Sequence, residues 1–374
     1  MKTALLHYWL TGIRGGEKVL SALGGMLSDA DIFTHAYQPW RFGEASGARL
    51  WGHRVTESFI ARLPAGRRHP QAYLPLLPAA SRALKLEGYD VIVSSESGPI
   101  KGIRKPSCAR HLCYCHTPMR YLWDMHDDYY RAAGPCGRLA MALFTGYLRR
   151  EDLKSAEAVD RFVANSAFVA ERIKRLYGRE AVVVHPPVDV AFYRMADDKE
   201  ALPAFADRPY YLYAGELVVY KRPDLALAAC RRMNRRLVVA GGGVMRDRLA
   251  RLAGAGADIV FLDRVSNETL RQAYAHARAL IFPGAEDFGM VPVEAQASGT
   301  PVIAFGKGGV RETVLPEKTG LFFPEQTVDA LCAAIEAFEA RTWDKSVCQA
   351  QAERFSRDRF ESGMRAVFKE MGVT

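Results

Sequence analysis

The sequence predicts an α/β protein made of two doubly wound domains with parallel sheets. Three observations predict it. Short β-branched or apolar runs alternate with longer amphipathic ones along most of the 374 residues, as when strands are joined by crossover helices that cover both faces of a sheet. The length exceeds what a single ordinary core organises. The alternation breaks once, over the Pro-, Asp- and Ala-rich stretch PPVDVAFYRMADDKEALPAFADRP at 186–209, which reads as a connection between domains.

In chain order the expected strands are TALLHY, DIFTHAY, YDVIVSS, ARHLCYC, RFVANS and AVVVHPP, then YYLYAGE, RLVVAGG, DIVFLD, RALIFP and PVIAF. Helical patterns fall at GGEKVLSALGGML, SAFVAERIKRLYG, RPDLALAACRRMN and NETLRQAYAHA. A last helix, SRDRFESGMRAVFKEM, has Ser356 in position to cap it. The expected domains are 1–190 and 191–355, followed by the closing helix 356–374. Parallel sheets of this kind place ligands at the carboxyl ends of their strands, so the loops after strands carry the functional signal.

Composition narrows the classes. Apolar residues make up 49% and charged residues 25% of the chain, which excludes a disordered or fibrous protein. No apolar run approaches the roughly 20 residues that span a bilayer. The opening MKTALLHYWL reads as a strand and not as a signal peptide. Seven irregularly spaced cysteines suggest reduced thiols and a cytoplasmic setting. The net charge is +9, and residues 41–110 hold 12 Lys+Arg against 5 Asp+Glu. Such an excess favours an anionic partner, a lipid surface among them, while a merely solvated face stays equally open.

The chemistry concentrates in FPGAEDFGMVPVEAQASGTPVIAF at 282–305, where seven residues separate Glu286 from Glu294. RALIF reads as a strand, PGAEDFG as a loop and VPVEAQASG as a helix with Pro292 in its first turn and Gly299 closing it. A helix start at the mouth of a sheet offers unpaired amides and a positive dipole end to a phosphate or diphosphate. Two carboxylates flanking that cradle suit a ligand with hydroxyls at both ends, such as a sugar nucleotide. Spacing alone leaves a capping or dipole role for both acids equally open.

This stretch, with GGEKVL, CYCHTPMRYLWD, NSAFVAERI, VHPPVD and YKRPDLAL in the same order, resembles the family-four retaining glycosyltransferases, and within them the bacterial O-antigen and exopolysaccharide mannosyltransferase-like branch. The resemblance implies a GT-B fold, two Rossmann-like domains facing across a cleft, with the acceptor bound by the first and the nucleotide sugar by the second. It also implies a closing helix packed back on the first domain. In its terms Glu294 holds the ribose hydroxyls and Glu286 those of the transferred sugar. Phe288, Gly289, Met290 and Val291 present backbone amides, and Lys221 with Arg222 neutralises the diphosphate. The family usually carries an Arg five positions before that lysine; here it is Glu216, which shifts the burden onto Lys221 and Arg222. His116 lies beside the transferred sugar. Gly15 and Gly16 face the cleft near the donor, and Arg14 reaches an acceptor phosphate.

The resemblance implies hexose transfer, mannose from GDP-mannose being the best match, onto a polyprenyl-diphosphate-linked glycan. The setting is the inner face of the cell membrane, with neither cofactor nor metal and no nucleic-acid partner. From the residues themselves, Gly15-Gly16 also fits a plain turn, and a single His is often structural. HLCYCH lacks a second Cys/His pair for zinc, and DAD at 29–31 reads as turn chemistry. GGG at 241–243 and LDRVS at 262–266 are placed to border a nucleotide. Two rivals remain. A nicotinamide oxidoreductase needs Gly-x-Gly-x-x-Gly after the first strand, which HYWLTGIRGGEK does not supply. A non-catalytic sugar-nucleotide-binding protein would lack Glu286, Lys221 or His116, and all three are present.

Overall fold

Thirteen strands form among the described residues, which in the computed structural model are 1–42, 50, 52–195, 208–254 and 256–373. Seven of them build one sheet: β1 (Thr3–His7), β2 (Asp31–Thr34), β3 (Val55–Glu57), β4 (Val91–Glu96), β5 (Arg110–Cys115), β6 (Arg161–Ala164) and β7 (Ala181–Val183), in the order β3-β2-β1-β4-β5-β6-β7. The other six are β8 (Tyr211–Ala214), β9 (Leu237–Ala240), β10 (Ile259–Asp263), β11 (Ala279–Phe282), β12 (Val302–Phe305) and β13 (Gly320–Phe323), in the order β10-β9-β8-β11-β12-β13. All the ladders are parallel. Each sheet is doubly wound and reverses its strand order once, between β1 and β4 in the first and between β8 and β11 in the second.

The chain divides into two compact units, Met1–Pro187 with the chain from Phe360 onward, and Val188–Arg359. Burial on both faces explains the strand sequences. Leu212, Val238, Leu280 and Val302 enter one core, while Tyr211, Tyr213, Val239 and Ile303 enter the core on the opposite side. This is period-two alternation with both faces dry. In the first unit the helix Arg357–Glu370 buries Phe360, Met364, Val367 and Phe368 against Leu5, Val93 and Val163.

Several elements are absent from the sequence pattern, and three of them show why. β3 is three half-buried residues. β13 opens on Gly320, a turn signal, yet any Cβ there would fall 2.0 Å from the Val302 carbonyl oxygen of β12, so the close strand approach selects glycine. The 23-residue helix Pro135–Glu157 buries only Leu148, Asp152, Ser155 and Ala156, too few apolar positions to show a period. In the stretch expected to connect the domains, Val190–Arg194 is a helix capped by the Asp189 carboxylate, which accepts from the Phe192 N–H at 3.1 Å. Residues 196–207 of that stretch lie outside the described residues.

Two of the fully buried histidines of the first unit are held by serines. His35 sits between Ser58 (3.0 Å) and Ser81 (3.3 Å), and His111 bonds Ser94 at 2.9 Å. Burial pushes each imidazole down to about 3. The folded form then holds them neutral, whereas the unfolded chain takes up protons below about pH 6.5. Stability therefore falls as pH drops from about 6.5 toward 3, by up to ~1.4 kcal/mol per pH unit for each histidine. Urea unfolding at a series of pH values should show this slope, and His35→Gln should flatten it by about one histidine's share.

Candidate active site

The second unit's candidate residues collect where its strand order reverses. Lys221 follows β8, and Glu286 follows β11, the neighbour across that reversal. Crevices form at such switch points because the adjacent loops leave in opposite directions. Here the loops instead approach backbone to backbone, and glycine permits it. A Cβ on Gly284 would lie 2.8 Å from Lys221 Cα, and one on Gly308 2.2 Å from the Glu286 carbonyl oxygen. On Gly309 it would fall 2.3 Å from the Asp287 oxygen and 2.4 Å from Phe288 Cα. The Gly309 N–H donates to the Glu286 carbonyl at 2.9 Å, and Gln326 Nε2 donates to that of Pro283 at 2.7 Å.

Within this clamp Lys221 Nζ and Glu286 Oε1 are 2.9 Å apart, both side chains mostly shielded. Burial alone would lower the lysine's pKa; the opposing carboxylate of Glu286 outweighs it, and the ammonium ends above its ordinary value. A positive charge at this spot is therefore firm at neutral pH.

Beside the pair begins the helix Met290–Ala297. Its N-cap, Gly289, has φ +88°, a conformation that glycine adopts without strain, and no side chain among the described residues caps this end. Its first amides, those of Met290 and Val291 included, have no intrahelical partner by construction. Phe288 is buried and stacks edge-on with Phe355, centroids 5.6 Å apart, which fixes the turn. Glu294 lies just past the first helical turn and is 4% exposed, and Tyr274 donates its hydroxyl to Oε2 at 3.1 Å. Burial, with the Glu294 charge beside them, holds the Tyr193 and Tyr274 phenols well above their usual pKa, so both remain donors.

Arg222 is differently engaged. It takes φ +54°, an unusual conformation for a side-chain-bearing residue, and Nε donates to Asp224 at 3.2 Å. Glu216 lies in the loop after β8, where its carbonyl accepts from the Tyr213 hydroxyl at 3.3 Å. The glycines at 241–243 serve the same loop. A Cβ on Gly241 would fall 1.9 Å from the Gly215 oxygen and one on Gly243 2.5 Å from that of Leu217, so two of the three let the loops after β8 and β9 touch. In LDRVS, the Asp263 carbonyl accepts from Gly241 N–H at 2.6 Å.

In the first unit Gly15 opens the helix Gly15–Met26 after β1, and the Arg14 N–H donates to the Glu17 carboxylate at 2.9 Å, as in half of a capping box. His116 follows β5, half-buried, with Nε2 2.9 Å from Ser95 Oγ. A Cβ on Gly16 would stand 3.4 Å from that same Nε2 and 3.3 Å from His7, so the glycine turn and the histidine are direct neighbours. Burial, then the neighbouring His7, pushes His116 down to about 3, leaving a neutral ring that can donate at one nitrogen and accept at the other. Glu17 is buried, with Oε1 3.8 Å from His7 Nε2. The exposed Arg14 side chain marks the outer edge of this cluster.

The two units match different family models: Glycosyltransferase Family 4 over residues 13–192 and Glycosyl transferases group 1 over residues 195–355. By these matches the chain carries a Glycosyltransferase Family 4 region followed by a Glycosyl transferases group 1 region. Among curated relatives, the D-inositol 3-phosphate glycosyltransferase of Mycobacteroides abscessus is 30% identical over 195 residues, 48% of this chain and 44% of that protein. The one of Mycobacterium marinum is 27% identical over 292 residues, 64% and 62% of the two chains. These matches span 44% and 62% of the relatives' lengths, under two thirds in both. An Anabaena HepE structure in complex with UDP and glucose superposes with a TM-score of 0.74 at 15% identity, covering 99% of this chain and 100% of that one, a likeness of fold.

Against this glycosyltransferase frame, the sequence missed Tyr274 behind Glu294, Asp224 on Arg222, and the His7, Glu17 and Ser95 surroundings of His116. Tyr274 and Ser95 come from neighbouring elements and leave no local signal. Glu17, three residues after a helix cap, was readable. The clamp makes a firm prediction. Gly309→Ala should destabilise the second unit by about 1–3 kcal/mol, since the new methyl must displace the loop that carries Glu286. Thermal unfolding of the variant should show the loss, together with weaker binding of a nucleoside diphosphate.

Proposed function

We propose that the protein is a retaining, metal-independent glycosyltransferase. In this reading it moves a hexose, mannose from GDP-mannose, to a polyprenyl-diphosphate-linked glycan at the inner face of the cell membrane. The observation that carries this reading is the Lys221–Glu286 pair, 2.9 Å apart, beside an uncapped helix start at the sheet's switch point. A dianionic diphosphate fits the helix end, and Lys221 offers it a fixed positive charge. Glu286 offers acceptor oxygens to sugar hydroxyls, and Glu294 to the ribose. The first domain serves the acceptor, with Gly16 and His116 at its centre.

In the proposed step the bond between the sugar's anomeric carbon and the diphosphate oxygen breaks. A bond from that carbon to the acceptor hydroxyl oxygen forms on the same face, and the hydroxyl proton passes to the departing diphosphate. Negative charge grows on the leaving group as this happens, and Lys221 with the helix amides stabilises it without rearranging. A neutral His116 hydrogen-bonds and orients without competing for the diphosphate.

Lys221→Ala should lower kcat by about a hundredfold or more, the scale of losing one preorganised charge partner, with a smaller change in donor KM. Glu294→Gln should chiefly raise donor KM, by the factor that corresponds to about 1.5–3 kcal/mol for a charged hydrogen bond. Tyr274→Phe, which removes only the hydroxyl behind Glu294, should raise donor KM by less. Thermal shift against guanosine, uridine and adenosine diphosphates tests the donor class. Stabilisation by guanosine diphosphate above the rest supports the GDP-mannose reading, and no response to any of them would sink the enzyme reading.

A further inference from the structure

We propose that the hairpin of helices His126–Ala132 and Pro135–Glu157 is a docking surface for an anionic lipid leaflet. The longer helix is held at one end only. Its buried residues, Leu148, Asp152, Ser155 and Ala156, all lie in its second half. There the Asp152 carboxylate accepts from Lys101 Nζ at 2.6 Å, from Trp123 Nε1 at 2.8 Å and from the Tyr177 hydroxyl at 2.9 Å. The first half projects. Leu139 is 62% and Leu143 65% exposed, and their i,i+4 spacing puts both on one stripe, joined by the partly exposed Phe144. Tyr129 and Tyr130, from the short helix, are exposed as well.

The hairpin is built, not frayed. Arg138 donates to the Tyr130 carbonyl at 3.2 Å and to that of Arg131 at 3.0 Å, and Arg149 donates to the Leu122 carbonyl at 2.7 Å. From Tyr129 to Arg150 the sequence carries four arginines and no acid; Asp127 and Asp128 come just before it. On the projecting half the exposed aliphatic side chains share the surface with Tyr129, Tyr130, Arg138 and Arg131, the last 3.9 Å from Asp128, a mixture that matches the boundary between lipid headgroups and acyl chains. Bare leucines are a poor match to nucleic acid. No helix among the described residues is long and apolar enough to cross a membrane, so the contact is interfacial.

The basic segment 41–110 suits this role less. Arg54 pairs with Asp31, Arg67 with Glu57, Arg82 with Glu151 and Lys105 with Asp160, and Lys101 is buried between Glu96 and Asp152. Much of its excess is thus answered within the fold.

The inference draws on the lipid-linked acceptor of the proposed function only for its purpose; lipid binding is measured without donor or acceptor. The full-length protein is sedimented at low salt with phosphatidylcholine vesicles, with and without phosphatidylglycerol. The wild type should bind the anionic vesicles and leave the neutral ones. L139E/L143E, on an exposed stripe, should keep its Tm and lose binding by about tenfold or more, whereas R62E/R68E should bind as the wild type does. Undiminished binding by L139E/L143E, or no binding by the wild type, overturns the proposal. A wild-type dimer that L139E/L143E dissolves without loss of vesicle binding also overturns it, because a second copy then covers the face. Slow hydrolysis of the sugar nucleotide by the soluble protein reports on the proposed function separately, whichever way the vesicles answer.

Discussion

The second domain depends on loops that meet at backbone distance above the carboxyl ends of its strands. Five glycines in these loops, Gly241, Gly243, Gly284, Gly308 and Gly309, leave no space for a methyl group. Each removes a side chain from the one region where the sheet's reversal would otherwise open a plain crevice. The gain is rigidity where it matters. Lys221 and Glu286 face each other because the backbones beneath them meet with no side chain between, and the helix start beside them is packed on a buried phenylalanine. Electrostatic stabilisation is most effective when its groups need no reorganisation as charge develops. A clamp of glycines is an economical way to meet that condition.

The same logic explains why two opposite charges are held together in the absence of a ligand. An unpaired lysine in a shielded loop would lose part of its positive charge to desolvation. Glu286 keeps it charged and in place. In the proposed function an arriving anion gives the lysine a second partner and leaves the carboxylate to hydroxyl groups. On that proposal the pair is a resting state, and its two members need not serve the same part of the ligand. Glu294 is prepared differently, by two buried phenols that remain donors and orient its carboxylate from behind.

Much of this was legible in the sequence, and the rest was hidden for identifiable reasons. The doubly wound architecture followed from strand and helix periods because both faces of each sheet are buried. The helix at 290 could be read from Pro292 and Gly299, and the placement of Glu286 and Glu294 around its start was readable as well. The glycines at 241–243 were visible, but their purpose was not. Backbone contacts between distant loops leave a glycine and no other trace, so a ligand-bordering role and a packing role look alike. The pairing of Arg222 with Asp224 was equally hidden, since two residues of spacing across a helix start does not by itself predict contact. The long helix with its projecting half was missed because it has little buried face to give it a period. That lack of a buried face is also what makes it an interaction surface.

The central claim is that a diphosphate rests against the start of the helix Met290–Ala297 with Lys221 as its counter-ion. A crystal of the protein soaked with guanosine diphosphate tests it most directly. The account predicts phosphate oxygens at hydrogen-bonding distance, about 3 Å, from the amides that open that helix and from Lys221 Nζ, with the ribose toward Glu294. An ordered nucleotide bound elsewhere, with this helix start bare and the Lys221–Glu286 pair undisturbed, would contradict it.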